Sequence, residues 1–137
     1  MGRPKATLPW GEVPLIEHVL DVLGTHCEPR VVVGHRELVL PPLPDGVHRL
    51  DDPPHRDDQG PLVGVLRGLE HLRGRAELVF VAACDAPWLS PEHVAFMLDR
   101  LEREPELEAA MPCSTDTPPR PFPLGGVLRV EPALRMA

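Results

Sequence analysis

The chain has 137 residues, 42 % hydrophobic and 26 % charged, which fits one globular domain able to bury a core. Its net charge of −7 speaks against a general nucleic-acid binder, which would carry a basic face, but not against a single nucleotide held by a few local groups. No apolar run reaches the roughly 18 residues of a membrane helix, the opening lacks a signal peptide's apolar stretch, and three cysteines without a CxxC pair give neither a disulfide framework nor a zinc ribbon.

The cytoplasm is therefore the expected compartment. Thirteen arginines accompany one lysine, Lys5, and the two residue types differ as phosphate ligands. After Pro14, the residues Leu15, Ile16, Val19, Leu20 and Leu23 fall at helical spacing and Gly24 closes the helix. Arg30 to Gly34 is a β-branched run typical of a buried strand, and a weaker strand is expected from Val47 to Leu50.

Pro61 suits the first position of a second helix, whose stripe is Leu62, Val65, Leu66, Leu69 and Leu72. Leu78 to Ala83 is the clearest strand, apolar on both faces. Ser90 is set to cap a third helix with Pro91 at N1 and Val94, Met97, Leu98 and Leu101 inward. Glu108 to Met111 and Leu124 to Val130 are further candidate strands, and Glu131 to Ala137 could begin a helix. Proline clusters mark the loops between these elements. Alternating strands and helices, with strands of continuous apolar residues, predict a mainly parallel sheet covered on both faces by helices. The chain opens without the strand that usually starts such a domain, so both ends read as cut.

Open parallel sheets bind ligands outside the carboxyl ends of their strands. Asp85 follows the best strand, where a carboxylate can hold magnesium bridged to phosphate oxygens or simply start a turn. Asp51 and Asp52 end the weaker strand at the same edge. Beyond them a polar loop from Pro53 to Gln59 leads into Gly60-Pro61-Leu62-Val63-Gly64, where glycine admits close backbone approach and the helix aims amides at an anion. Lys5, in a Gly/Pro-rich opening, is placed either to meet a triphosphate or to lie on the surface. The seven histidines show no metal-binding spacing and read as solvated for nearly all. Cys84 reads as core, and Trp10 and Trp88 as packing residues.

In order and spacing, five segments resemble the molybdenum cofactor guanylyltransferases of the nucleotidyltransferase superfamily. They are Met1-Gly2-Arg3-Pro4-Lys5 through Gly11, Pro14 to Leu20, Val31-Val32-Val33-Gly34, Asp52 ahead of Gly60-Pro61-Leu62-Val63-Gly64, and Cys84-Asp85-Ala86-Pro87. The resemblance implies a Rossmann-like α/β fold with its first strand missing, residues 1–137 forming a single incomplete nucleotidyltransferase domain. It also implies transfer of GMP from GTP to the molybdopterin cofactor with release of pyrophosphate. Lys5 would contact GTP, Asp85 would hold magnesium and nucleotide, and Asp52 would be the nucleotide-binding aspartate, with Asp51 as fallback. Molybdoenzyme maturation proteins are the implied partners, with no nucleic acid and no membrane.

The family's glycine-rich segment after the first strand is expected just before Met1, and its last helical part beyond Ala137. Without the phosphate cradle, this chain is expected to be weakly active or inactive. Three other readings stay open: a molybdopterin cytidylyltransferase, a sugar or isoprenoid-precursor nucleotidyltransferase, and a non-catalytic nucleotide- or protein-binding module.

Overall fold

The computed structural model describes residues 4–52 and 60–136; the Met1–Arg3 opening and the Pro53–Gln59 loop lie outside the described residues. A 3-10 turn at Lys5–Thr7 leads into a small antiparallel hairpin of β1 (Pro9–Trp10) and β2 (Val13–Pro14). Gly11 makes the tight connection, with a φ of 62° that few side chains tolerate. Helix α1 (Leu15–Gly24) follows at once and buries Leu15, Ile16, Val19, Leu20 and Val22. Then come β3 (Arg30–Gly34) and β4 (Val47–Asp51), paired in parallel from Arg30 opposite Val47 to Gly34 opposite Asp51.

Helix α2 (Pro61–Leu72) has the expected proline in its first turn, and Gly60 before it adopts a φ of 71°. Only Leu69 and Leu72 of its apolar stripe are buried, while Leu62 is exposed. Strand β5 (Leu78–Val81) stops two residues short of the expected end. Helix α3 (Pro91–Arg103) begins as its sequence dictates: the Ser90 hydroxyl accepts a hydrogen bond from the His93 amide at 3.2 Å. Such a cap satisfies one of the amides that a helix start leaves unpaired. Strands β6 (Ala109–Ala110) and β7 (Gly126–Arg129) and helix α4 (Val130–Met136) complete the chain.

The helices cover both faces. α1 touches α3, α2 touches α4, and β3 lies against both α1 and α2. The sheet departs from the expectation of mainly parallel pairing. Among the described residues, parallel pairing joins β3 to β4, whereas β5, β7 and β6 form an antiparallel sheet in that order. The reason is the return of the chain after β6. A bridge between Cys113 and Pro121, with the Ser114 amide on the Arg120 carbonyl at 2.8 Å, folds residues 111–125 back on themselves. β7 therefore runs against both of its neighbours.

Gly126 is what lets β6 and β7 meet so closely. A Cβ there would lie 2.6 Å from the Ala110 carbonyl oxygen and 3.2 Å from Met111 Cα. Because backbone must move to admit it, Gly126→Ala is expected to destabilise the chain by about 1–3 kcal/mol. Urea unfolding reads this as a lower midpoint, and an unchanged midpoint would mean that the two strands have room to spare.

A compact domain usually has one contiguous core. Here two separate groups of buried side chains stand out, and Val94 and Val130, also fully buried, belong to neither. One joins Ala6, Ile16 and Leu20, with Val32, Leu40, Leu43 and Val47 against it. The other joins Met97, Leu101 and Val127, with Leu78, Phe80, Leu98, Leu107 and Ala110 against it.

Candidate active site

The lysine and the aspartate at residues 5 and 85 are brought into contact across 80 positions of sequence. Lys5 Nζ donates a hydrogen bond to Asp85 Oδ2 at 3.1 Å. Both groups reach solvent, with side-chain exposures of 73 % and 36 %, so each can exchange its partner for a ligand without uncovering a buried charge.

Helix α1 is the common base for both. The 3-10 turn carrying Lys5 is pinned by its middle residue, Ala6, which is buried against Ile16 and Leu20. The Thr7 hydroxyl closes the turn on the Pro4 carbonyl at 2.9 Å. On the other side, Asp85 lies in the turn that follows β5. Its loop is tied to α1 where His18 Nε2 meets the Pro87 carbonyl at 3.2 Å. Trp88 packs edge-on against Trp10 of β1, with ring centroids 5.4 Å apart, and Trp10 also touches His18.

His18 and Trp10 thus position the Asp85 loop. Sequence reasoning missed this, since His18 sits on the polar side of its helix and its partner lies 69 residues away. His93 is likewise no solvated histidine: its Nε2 meets the Gly125 carbonyl at 2.9 Å, and its ring stands on the edge of Phe80. Trp88 is 85 % exposed, so its packing against Trp10 leaves most of the indole open.

Asp51 and Asp52, adjacent in sequence, diverge in space. Asp51 faces Arg49 and Arg36, at 3.8 Å and 3.9 Å. Asp52 has its amide on the Gly34 carbonyl at 3.0 Å. Its carboxylate lies over the first turn of α2, with Oδ1 3.7 Å from where a Cβ on Gly64 would stand. A negative charge there is favoured by the helix dipole. Asp52, Gly60, Gly64 and Asp85 line one cleft of about 1020 Å³ between β3 and β5. The geometry therefore joins Lys5 to Asp85 and sets Asp85 and Asp52 on one cleft, with Asp51 outside its lining.

Cys84 is exposed rather than core, because β5 ends at Val81 and the chain has turned away by residue 84. Partial desolvation of the thiol, and then the neighbouring Asp85 carboxylate, raise its pKa. A thiol held protonated is a poor nucleophile.

Among the described residues, no three His, Cys, Asp or Glu side chains gather into a metal cage. Magnesium does not need one, since it keeps several waters and takes one or two carboxylates together with substrate phosphates. Asp85 and Asp52 on one cleft fit that requirement. No helix among the described residues is long and apolar enough to cross a membrane.

The family described as "MobA-like NTP transferase domain" matches residues 1–136. A "Probable molybdenum cofactor guanylyltransferase" of Bacillus anthracis is 31 % identical over 110 residues, covering 75 % of this chain and 51 % of that protein. One of the same name from Bacillus mycoides is 29 % identical over 110 residues with the same coverage. The chain thus spans about half the length of these curated relatives. Among solved structures, the crystal structure of 2-C-methyl-D-erythritol 4-phosphate cytidylyltransferase from Thermus thermophilus matches with a TM-score of 0.70 at 23 % identity. The match covers 95 % of this chain and 67 % of that one. At that identity the likeness establishes the α/β fold alone.

Proposed function

We propose, since the chain belongs to the MobA-like NTP transferase family, that it serves a nucleotidyltransferase moving GMP from GTP to molybdopterin. The single observation that carries this reading is the Lys5–Asp85 pair at 3.1 Å, whose aspartate lines one cleft with Asp52. The names of the curated relatives support the choice of GTP and molybdenum cofactor.

In this reading an oxygen of molybdopterin's terminal phosphate attacks the α-phosphorus of GTP. The new P–O bond forms as the bond from that phosphorus to the bridging β-phosphate oxygen breaks, and pyrophosphate leaves with the electron pair. Lys5 exchanges Asp85 for a triphosphate oxygen and offsets charge that grows during transfer. Asp52, over the start of α2, orients the nucleotide. Asp85, which lines the cleft together with Asp52, would hold magnesium, which when bound would supply charge neutralisation for the phosphates.

Calorimetric titration with GTP, CTP and ATP in the presence of magnesium tests the base choice. GTP is expected to bind most tightly, and Lys5→Ala to weaken it about 10- to 100-fold, in line with the ~1.5–3 kcal/mol of a hydrogen bond to a charged group. Tighter binding of CTP would transfer the reading to a cytidylyltransferase. Partner binding without any nucleotide affinity would reduce the chain to a protein-binding module.

A further inference from the structure

Tryptophan is a large apolar residue that is highly buried on average, yet Trp88 is 85 % exposed. Its backbone is nevertheless held from both sides. The Leu89 amide closes a turn on the Ala86 carbonyl at 3.1 Å, and the Ser90 hydroxyl then caps α3. His18 Nε2 meets the Pro87 carbonyl at 3.2 Å. Trp10 meets Trp88 with the two ring planes at 86°. A perpendicular contact joins the edge of one ring to the face of the other, so at least one face of the Trp88 indole stays free of Trp10.

This open indole stands beside the candidate active site. Trp88 follows Asp85 by three residues, so their Cα atoms lie no more than about 11 Å apart. Trp10 belongs to the hairpin that joins the turn of Lys5 to α1. Neither tryptophan lines the cleft that Asp52, Gly60 and Gly64 share with Asp85. The transferase reading requires two flat heterocycles at one site, the base of the nucleotide and the pterin of the acceptor. With Asp52 orienting the nucleotide from the cleft, the indole outside it is left for the second ring. Aromatic side chains held in place bind such rings by stacking, whichever edge groups the ring carries. Resting on that reading, we propose that Trp88 is the platform on which the acceptor's pterin stacks, with the acceptor's phosphate directed to the Lys5–Asp85 pair. Trp88 is then a substrate-binding residue, and the contact with Trp10 and the His18 hydrogen bond are what hold it ready.

The test titrates 6-hydroxymethylpterin monophosphate, and separately GTP with magnesium, into the chain. The indole N–H signals of its two tryptophans are followed by NMR and told apart with Trp10→Phe. The pterin phosphate is expected to shift the Trp88 signal saturably. Trp88→Ala is expected to weaken its binding about 5- to 150-fold, the cost of losing one stacked base. Trp88→Phe, which keeps an aromatic face, is expected to retain most of the affinity. GTP affinity is expected to be the same in Trp88→Ala as in the unaltered chain. Should Trp88→Ala fail to fold, the shifts in the unaltered chain and the Trp88→Phe titration decide the question. A Trp88 signal unmoved by millimolar pterin phosphate, equal pterin affinity in Trp88→Ala, or an equal loss of GTP affinity would overturn the proposal. The last of these would assign the indole to the nucleotide's base. The transferase reading is tested by GTP binding and its dependence on Lys5, so its failure is separable from failure of the pterin platform.

Discussion

Replacing Asp85 by asparagine is expected to lower by about 10²–10³-fold whatever magnesium-dependent GMP transfer the proposed function gives this chain, the usual cost of removing one preorganised electrostatic contact from a transfer site. The substitution keeps the size and shape of the side chain and removes its charge. It thereby takes away the carboxylate proposed to hold magnesium and the partner that aims Lys5 Nζ from 3.1 Å. Stability is expected to change little, because exposed ion pairs contribute ~0–1 kcal/mol and this pair reaches solvent on both sides. Pyrophosphate release, measured beside the circular dichroism of the same sample, separates the two effects. An unchanged rate in a folded variant would remove Asp85 from the chemistry. A variant that unfolds would recast Asp85 as a structural residue that ties its loop to the opening turn.

The second large effect is on folding. Leu101 is fully buried in the group formed with Met97 and Val127, and no polar atom of its side chain complicates the result. Leu101→Ala removes its packing and leaves a cavity, for an expected loss of ~2–5 kcal/mol. Against a typical domain stability of about 5–15 kcal/mol, that is a large share. A urea-unfolding shift below about 1 kcal/mol, smaller than any such truncation of a tight core, would mean that the α3–β7 contact is loosely packed. The GTP affinity of the fraction that remains folded is expected to hold, since Leu101 lies outside the Lys5–Asp85 cluster.

Where local physics governs, the sequence was readable. The Ser90 cap, Pro61 at the start of α2 and the spacing of Leu15 to Leu20 each placed a helix within a residue or two of its observed bounds. The β-branched run at 31–33 marked a strand in the same way. Long-range pairing was not readable: the residues of β7 look alike whether their neighbours run parallel or antiparallel, and only the folded-back stretch 111–125 decides. The β1–β2 hairpin escaped notice because each strand is two residues long and both contain proline. Full burial of β3 and β5 was expected from their composition, but both are half-buried, each with one edge unpaired among the described residues.

The site followed the same division. Lys5, Asp52 and Asp85 stood out as residue types at the ends of elements; the fold brings Lys5 and Asp85 into contact, and Asp52 and Asp85 line one cleft. Asp52 was preferred to Asp51 on the resemblance alone, and the structure adds that Asp51 is turned to Arg36 and Arg49. The support from His18 and Trp10 left no mark in the sequence, because it depends on contacts about 70 residues apart.

The most direct test of the account is an NMR titration of the chain with magnesium and GTP, read amide by amide. Shifts are expected to concentrate at Lys5, Asp52, Gly60 and Asp85, with Asp51 and the outer face of α3 little affected. Saturable shifts centred elsewhere, with those four amides unmoved, would contradict the claim that they form the nucleotide site.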